Sequence, residues 1–294
     1  MIDYRVYTFL TVCREMNYTK ASEILNITQP NVTQHIRWLE DHYGRKLFDY
    51  HKRKLSLTPA GTLLRDAAAA VVHEEKMLQQ QMASGKLESK NFSFGITRSI
   101  NEGGMKAHIM MLLKEYSGQN VQFYVDNTKN LLERLDNMSL DFAIVEGNFD
   151  HKRYDSIVLS KENFIPVCGK DHPLAGSTAK LEDLCATRLI IREEGSGSRE
   201  ILESLLKSRN FTYDDFESVS EIGDISAIKM LLKEGCGITF IYETAVAKEL
   251  QSGELVRISV EDLTIQHDFT MIWLRTGHFR SVYEKVAHEL MHRL

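Results

Sequence analysis

The stretch Thr19-Lys20-Ala21-Ser22-Glu23-Ile24-Leu25-Asn26-Ile27-Thr28-Gln29-Pro30-Asn31-Val32-Thr33-Gln34-His35-Ile36-Arg37-Trp38-Leu39 decides how the N-terminal part of the chain folds. Thr19 is placed to cap a short helix whose Ala21, Ile24 and Leu25 point inward. Asn26-Ile27 makes a tight turn, and a further helix begins at Thr28, with Pro30 in its first turn, where a missing N–H costs little. Val32, Ile36 and Leu39 recur at the helical period and give that helix a buried stripe. Upstream, Val6, Phe9, Leu10 and Cys13 mark the inner face of another helix over Tyr4–Glu15. Two short helices joined by a tight turn predict a helix-turn-helix whose second helix is free to enter a major groove. Gln29, Asn31, Thr33, Gln34 and Arg37 fall on its outer face. Asn and Gln amides suit the edge of adenine, and an arginine reaches phosphate. Any surface helix carries such residues, so the helix by itself leaves base recognition and plain solvation both open.

The residues that follow tilt the balance. Leu47-Phe48 leads into Tyr50-His51-Lys52-Arg53-Lys54 and then Leu55-Ser56-Leu57-Thr58, which reads as a two-stranded wing with a cationic tip. A basic hairpin is commonly only a solvated turn, but beside a recognition helix its charges suit DNA phosphates. The charge distribution agrees. Residues 1–60 hold 9 Lys/Arg and 6 Asp/Glu, a net of +3 in a chain whose formal total is −5, which leaves −8 on the remainder.

Taken in order, Tyr7-Thr8-Phe9-Leu10-Thr11-Val12, Thr19–Leu25, Thr28–Ile36, Leu39-Glu40, Gly44-Arg45-Lys46-Leu47-Phe48 and Leu57-Thr58-Pro59-Ala60-Gly61 closely resemble the winged helix-turn-helix of LysR-type transcriptional regulators, almost without gaps over residues 2–62. The resemblance implies that Gln29, Pro30, Asn31, Thr33, Gln34 and Arg37 belong to the DNA-binding recognition helix, with Arg37 reaching a phosphate. It further implies that Tyr18, Thr19 and Thr28, with His51, Lys52 and Arg53 of the wing, contact phosphates. One departure stands out: the family often has Ser-Arg where this chain has Thr33-Gln34, which removes a phosphate contact and alters base preference.

From Pro59 the chain reads PAGTLLRDAAAAVVHEEKMLQQQMASGKLES, with no further proline and no glycine between Gly61 and Gly85. Leu64, Val71 and Leu78 repeat every seven residues, and Ala60, Ala67 and Glu74 fall between them, so the seam is half apolar. A helix of about 25–28 residues would span roughly 40 Å. The resemblance implies dimerisation through this helix, and family habit extends the homodimer to a homotetramer.

Beyond Ser84-Gly85-Lys86 short apolar runs alternate with helical stretches. Strands are expected at Phe92–Ile96, Val121–Val125, Phe142–Val145, Phe164–Cys168, Leu189–Ile191, Glu217–Val219, Ile238–Ile241 and Phe269–Trp273. Helices are expected at Gly103–Tyr116, Lys129–Asn137, Ser198–Arg209, Asp224–Glu234, Glu243–Gln251 and Ser281–Arg293. That alternation predicts mainly parallel α/β lobes, which bind ligands outside the carboxyl ends of strands. Thr97, Arg98 and Ser99 follow the first strand, and Asn127 and Thr128 follow the second, where they serve equally well as a helix cap. Arg192-Glu193-Glu194-Gly195-Ser196-Gly197-Ser198-Arg199 joins a strand to a helix. Its Gly195, Ser196, Gly197 and Ser198 offer close backbone approach and donors, and Arg192 and Arg199 add a charge clamp for an anion. Glu193 and Glu194 oppose an anion, and such a loop often does no more than cap its helix.

The family resemblance implies a two-lobed, periplasmic-binding-protein-like effector domain with a small effector between the lobes. The Arg192–Arg199 run, similar to that of members regulating sulfur assimilation or carbon fixation, implies that the effector is anionic. Val125–Thr128, Leu140–Gly147 and Glu234–Ile238 sit where the family has similar segments, more loosely than in residues 2–62.

The 294 residues are thus expected to be α+β overall: residues 1–58 a winged helix-turn-helix, 59–88 a linker and dimerisation helix, and 89–294 an effector domain. Lobe 1 takes about 89–163 and 268–294, and lobe 2 about 164–267. Cys13, Cys168, Cys185 and Cys236 are scattered without a CxxC pair, so neither a zinc ribbon nor a redox dithiol is expected. With no basic-then-apolar leader and no long apolar run, a cytoplasmic chain without membrane contact is expected. His288-Glu289-Leu290-Met291-His292 matches HExxH, but it lies in what reads as an exposed amphipathic helix at the chain end with little sequence left for a third zinc ligand. No P-loop, nucleophile elbow or dinucleotide motif occurs, so no catalytic residue, metal or cofactor is expected. The expected partners are promoter DNA, the effector and a second copy, with RNA polymerase a candidate further partner. The competing reading, a metabolic enzyme body with an incidental helix-turn-helix, predicts turnover of a ligand and no salt-sensitive DNA binding.

Overall fold

A computed structural model of the chain describes residues 2–51, 54–84, 92–116, 120–275 and 280–292. It divides into two compact units, one centred on residues 2–84 and one running from Phe92 to the C-terminal helix.

The first unit opens with α1 (Tyr4–Glu15), α2 (Tyr18–Leu25) and α3 (Gln29–Tyr43). The hairpin β1 (Phe48–His51) and β2 (Lys54–Leu57) follows, and then the long helix α4 (Pro59–Ser84). Phe9, Val12, Ala21, Val32, Ile36, Leu39, Leu47 and Phe48 form its core, so the stripe read on α3 is the one buried. Two local readings need correction. Asn17, not Thr19, caps α2, its Oδ1 accepting from the N–H groups of Thr19 and Lys20 at 2.9 and 3.1 Å. Ile24, expected inside, is 48% exposed, and Ser22 is buried in its stead.

The wing is fixed to the helices through Glu40, whose buried carboxylate accepts from the Leu47 N–H at 2.9 Å and from Lys46 Nζ at 2.7 Å. Thr58 does the same for α4: its hydroxyl donates to the Lys46 carbonyl at 2.6 Å and accepts from the Gly61 N–H at 2.9 Å. A Cβ on Gly61 would lie 2.0 Å from the Leu47 carbonyl oxygen, so only glycine lets α4 cross the base of the wing. Along α4, Leu64 packs against the core and does not join the exposed seam. Among the described residues, the large apolar side chains of α4 left in solvent are Leu63, Val71, Leu78 and Met82. Lys52 and Arg53 at the wing tip, and residues 85–88 at the end of the expected linker, lie outside the described residues.

In the second unit β3 (Phe92–Thr97), α5 (Arg98–Glu102), α6 (Met105–Glu115), β4 (Val121–Asp126), α7 (Thr128–Asp136) and β5 (Phe142–Val145) come first. A long strand β6 (Tyr154–Gly169) leads to β7 (Thr178–Ala179), α8 (Leu181–Cys185), β8 (Arg188–Ile191) and α9 (Gly197–Ser208). Then come β9 (Ser218–Glu221), α10 (Ile225–Lys233), β10 (Ile238–Tyr242), α11 (Ala247–Ser252), β11 (Leu255–Arg257) and β12 (Ser259–Val260). β13 (Gln266–Leu274) and α12 (Arg280–Met291) complete it. The strands run β4-β3-β5-β13-β6-β10-β8-β9, with β11 also on β6.

The β3–β4, β3–β5, β8–β9 and β8–β10 pairs are parallel, as the strand–helix alternation predicts. β13 and β6, however, are antiparallel to each other and to their outer neighbours, which the mainly parallel reading missed. β6 changes partner along its length: residues up to Asn163 pair with β13, and Phe164–Cys168 pair with β10. Two lobes therefore share one continuous strand. In its first half only Tyr154 and Leu159 are buried and the other positions are half-buried or exposed, so it lacks the apolar run of a buried strand. The terminal helix α12 is not the exposed element expected, since Tyr283, Val286, Ala287 and Leu290 are buried and Glu289 accepts from the Tyr116 hydroxyl at 2.9 Å.

Candidate DNA-binding face and interlobe cleft

In the first unit Thr28 caps α3 by accepting from the Asn31 N–H at 3.4 Å, and Pro30 lies in the first turn. Gln29, Pro30, Asn31, Gln34 and Arg37 are exposed along one face, together with Thr19 and Thr28. Thr33 is half-buried and spends its hydroxyl inside the helix, donating to the Gln29 carbonyl at 3.1 Å while accepting from Gln29 Nε2 at 3.2 Å. Tyr18 is also half-buried, its ring edge-on to Phe48, and burial followed by the nearby Glu40 charge pushes its hydroxyl up to about 12. It therefore stays a neutral donor. His51 is exposed at the end of β1, opposite Lys54. A depression between α3 and the wing is lined by Tyr18, Thr33, Arg37, Lys46 and Tyr50.

In the second unit the loops at the carboxyl ends of β3, β5 and β8 meet. Thr97 ends β3, and Arg98 and Ser99 open the short helix α5. Asn127 is buried and caps α7, accepting from the Asn130 N–H at 2.9 Å, which is the plainer of the two roles open to it. Thr128 donates to the Glu146 carbonyl at 2.9 Å. On the other side, Arg192 directly follows β8, and Ser196 precedes α9 without a side-chain cap of its own. Gly195 accepts from the Lys129 N–H at 3.0 Å. A Cβ on Gly197 would lie 2.2 Å from the Glu146 carbonyl oxygen, so the two lobes touch backbone to backbone there.

Most of the residues read from sequence are thus brought together. Arg199 is not: it pairs within its own lobe with Glu203 and Glu221, at 2.9 and 2.6 Å. Glu146, immediately after β5 and 2% exposed, was missed as a site residue. Thr97 and Ser198 both donate to it, the latter at 3.3 Å. Burial drives its carboxyl above the usual range, against the Thr97 hydroxyl, which favours the charged form.

Charge is arranged in an alternating chain: Asp126 with Arg98 at 3.5 Å, Arg98 with Glu193 at 3.2 Å, and Glu193 with Arg192 at 2.9 Å. The remaining Arg192 donor, Nη1, reaches the Ser99 hydroxyl at 3.3 Å, and Ser99 lies 2.9 Å from the Ser198 hydroxyl. A hydroxyl has one proton, and Ser198 gives its own to Glu146. Ser99 accepts from Arg192 and, like Ser198, stands beside the Glu146 carboxylate, so a pair of hydroxyls links Arg192 to Glu146 across both lobes. Lys229 on α10 adds a further bridge to Glu102 on α5 at 3.4 Å. No group of His, Cys, Asp and Glu able to hold a metal ion occurs among the described residues, and no described helix is long and apolar enough to cross a membrane.

Comparison with known proteins gives this geometry its context. Residues 5–62 match the bacterial regulatory helix-turn-helix protein, lysR family, and residues 85–293 match the LysR substrate binding domain. The chain belongs to the LysR family of transcriptional regulators. An uncharacterized HTH-type transcriptional regulator from Methanocaldococcus jannaschii is 30% identical over 267 residues, 88% of each chain. Among solved structures, full-length LysG of Corynebacterium glutamicum with bound effector Arg aligns with a TM-score of 0.69 at 18% identity, covering 99% of both chains. The Synechocystis CcmR regulatory domain in complex with 2-PG aligns with a TM-score of 0.62 at 20% identity, covering 69% of this chain and 96% of that one. This LysR-type regulator therefore pairs a DNA-binding winged helix-turn-helix with an effector-binding domain.

Proposed function

We propose that this LysR-type regulator binds promoter DNA as a homodimer, assembling to a tetramer, and that a small molecule between the lobes of its second unit sets its affinity for that DNA. The linkage of Arg192, Ser99, Ser198 and Glu146 carries the reading, because it places buried polar groups of both lobes in mutual contact at the carboxyl ends of strands. A molecule inserted there replaces lobe–lobe hydrogen bonds with its own, and so changes closure by differential affinity for two arrangements. Arg192, Ser99 and Ser198, with the backbone of Gly195 and Gly197 at the start of α9, form the donor side and favour an anionic group on the effector. That LysG holds arginine and CcmR holds 2-PG supports a small metabolite in this fold without fixing its charge.

On the DNA side, Gln29, Asn31 and Gln34 supply base contacts, and Arg37, Thr19, Thr28, Lys52 and Arg53 supply phosphate contacts. The exposed Leu63, Val71, Leu78 and Met82 of α4 give a second copy an apolar stripe to cover. The cytoplasm is the compartment that fits, RNA polymerase is a candidate partner, and neither turnover nor a cofactor enters the mechanism.

The test is a gel-shift of the purified chain on its own upstream DNA, over a range of salt and with random competitor. Specific retention that falls steeply with salt is the expected result. Retention equal on random DNA, together with conversion of a small-molecule ligand, would replace the regulator reading with an enzyme.

A further inference from the structure

Resting on the effector reading above, we infer that the effector is a zwitterion, its anionic group held by Arg192, Ser99 and Ser198 and its ammonium received by Glu146. Two independent features carry this. The first is the charge balance of the cleft. Asp126, Arg98, Glu193 and Arg192 neutralise one another in sequence, at 3.5, 3.2 and 2.9 Å. Glu146 stands outside that chain, is 2% exposed, and receives only hydroxyl donors. Arg192 lies close enough for its charge to act on Glu146, but all three of its donor nitrogens go to Glu193 and Ser99. A dianion placed here would join an unbalanced buried carboxylate, whereas an ammonium completes it.

The second feature is the polarity of the linkage. Arg192 donates to the Ser99 hydroxyl at one end and Glu146 accepts from the serine hydroxyls at the other, so one end offers hydrogens and the other end only lone pairs. A ligand replacing the linkage must accept at the first end and donate at the second. Ser198 touches both Ser99 and Glu146, at 2.9 and 3.3 Å, so the ligand's two groups stand on neighbouring atoms, as in an α-amino carboxylate. The hydroxyl of Tyr242 adds a further group to the same region: it is fully buried, has no hydrogen-bond partner among the described residues, and lies within the field of Glu146.

The test is calorimetric titration of the full chain with the proteinogenic amino acids, their α-hydroxy acid counterparts, sulfate and phosphate. An amino acid should bind, with its hydroxy acid weaker by about tenfold or more, the size of one charge-assisted hydrogen bond. Glu146→Gln should remove that difference, whereas Ser99→Ala and Arg192→Gln should weaken both ligands together. Heat from none of the amino acids overturns the inference, as does a hydroxy acid or dianion bound as tightly as the amino acid and indifferent to Glu146→Gln. If such a ligand still needs Ser99 and Arg192, the cleft reading survives alone. If binding ignores all three variants, the cleft reading falls as well.

Discussion

Gly197→Ala tests lobe closure without requiring the effector. The new Cβ would stand 2.2 Å from the Glu146 carbonyl oxygen, 2.8 Å from its carbon and 2.9 Å from the Thr128 hydroxyl. Ordinary contact begins at 3.4 Å, so the segments must part by about 1.2 Å. The helical backbone of Gly197 suits alanine, which leaves the obstruction as the whole of the effect. Two of the atoms met are backbone and cannot swing away, so the cost falls in the overpacking range of about 1–3 kcal/mol. That is about 5- to 150-fold against the closed arrangement. Separation on this scale takes Ser198 out of reach of Glu146, now 3.3 Å away, and lengthens the 3.0 Å bond from the Lys129 N–H to the Gly195 carbonyl. Amide hydrogen exchange reads the latter directly: Lys129 should lose protection in Gly197→Ala by a factor in that range. Gly104→Ala is the control, because nothing lies within 4 Å of its Cβ and its backbone is already helical. Lys129 exchange in Gly197→Ala that matches wild type would refute the backbone-to-backbone contact and the closure built on it.

Three further outcomes follow from other parts of the molecule. Arg37→Ala should weaken DNA binding on all sequences and lower the salt slope by about one, whereas Gln34→Ala should change sequence preference; gel-shifts over salt and over operator variants separate the two. Glu40→Ala strands the buried Leu47 N–H and should cost about 1–3 kcal/mol in the first unit, seen as a lower Tm with the wing loosened. Glu146→Gln should stabilise the chain at neutral pH. The folded carboxyl of Glu146 titrates above its ordinary value of 4.5, so ionisation opposes folding as pH rises past that value. Thermal melts across pH should show the gap between variant and wild type opening above about 4.5 and closing below it. A gap that widens toward acid pH would mean the carboxylate is stabilised in place.

The helix-turn-helix was legible because its determinants are local. A stripe at period 3.6, a capping residue and a turn lie within about twenty residues, and the same residues carry the family motif. Even so, Asn17 outcompeted Thr19 for the α2 cap, since each can serve and only the path of the chain selects between them. The cleft was half legible. Thr97, Ser99, Arg192 and Ser198 follow strands, and ligand sites on such sheets gather there. Glu146 also follows a strand, but a single acidic residue after Phe-Ala-Ile-Val reads as the polar end of a buried segment. What makes it a site residue is Thr97, 49 positions before it, and Ser198, 52 positions after it, both brought there by sheet order. Arg199 shows the opposite error: its neighbours in sequence suggested a clamp, while Glu221, one strand away, claims it.

The sharing of β6 between lobes, with β13 completing the first of them, bears on how the chain is made. β5 is hydrogen-bonded to β3 on one side and β13 on the other, and β13 begins only at Gln266. During synthesis the winged helix-turn-helix can fold as soon as it emerges, but β5 must wait with one edge open while 120 further residues, Glu146 to Ile265, are made. The intervening lobe completes first, and the earlier lobe closes last. The exposed edge of Phe142–Val145 is thus the most vulnerable surface of the nascent chain, and substitutions that slow the folding of residues 164–265 should reduce yield before they reduce stability.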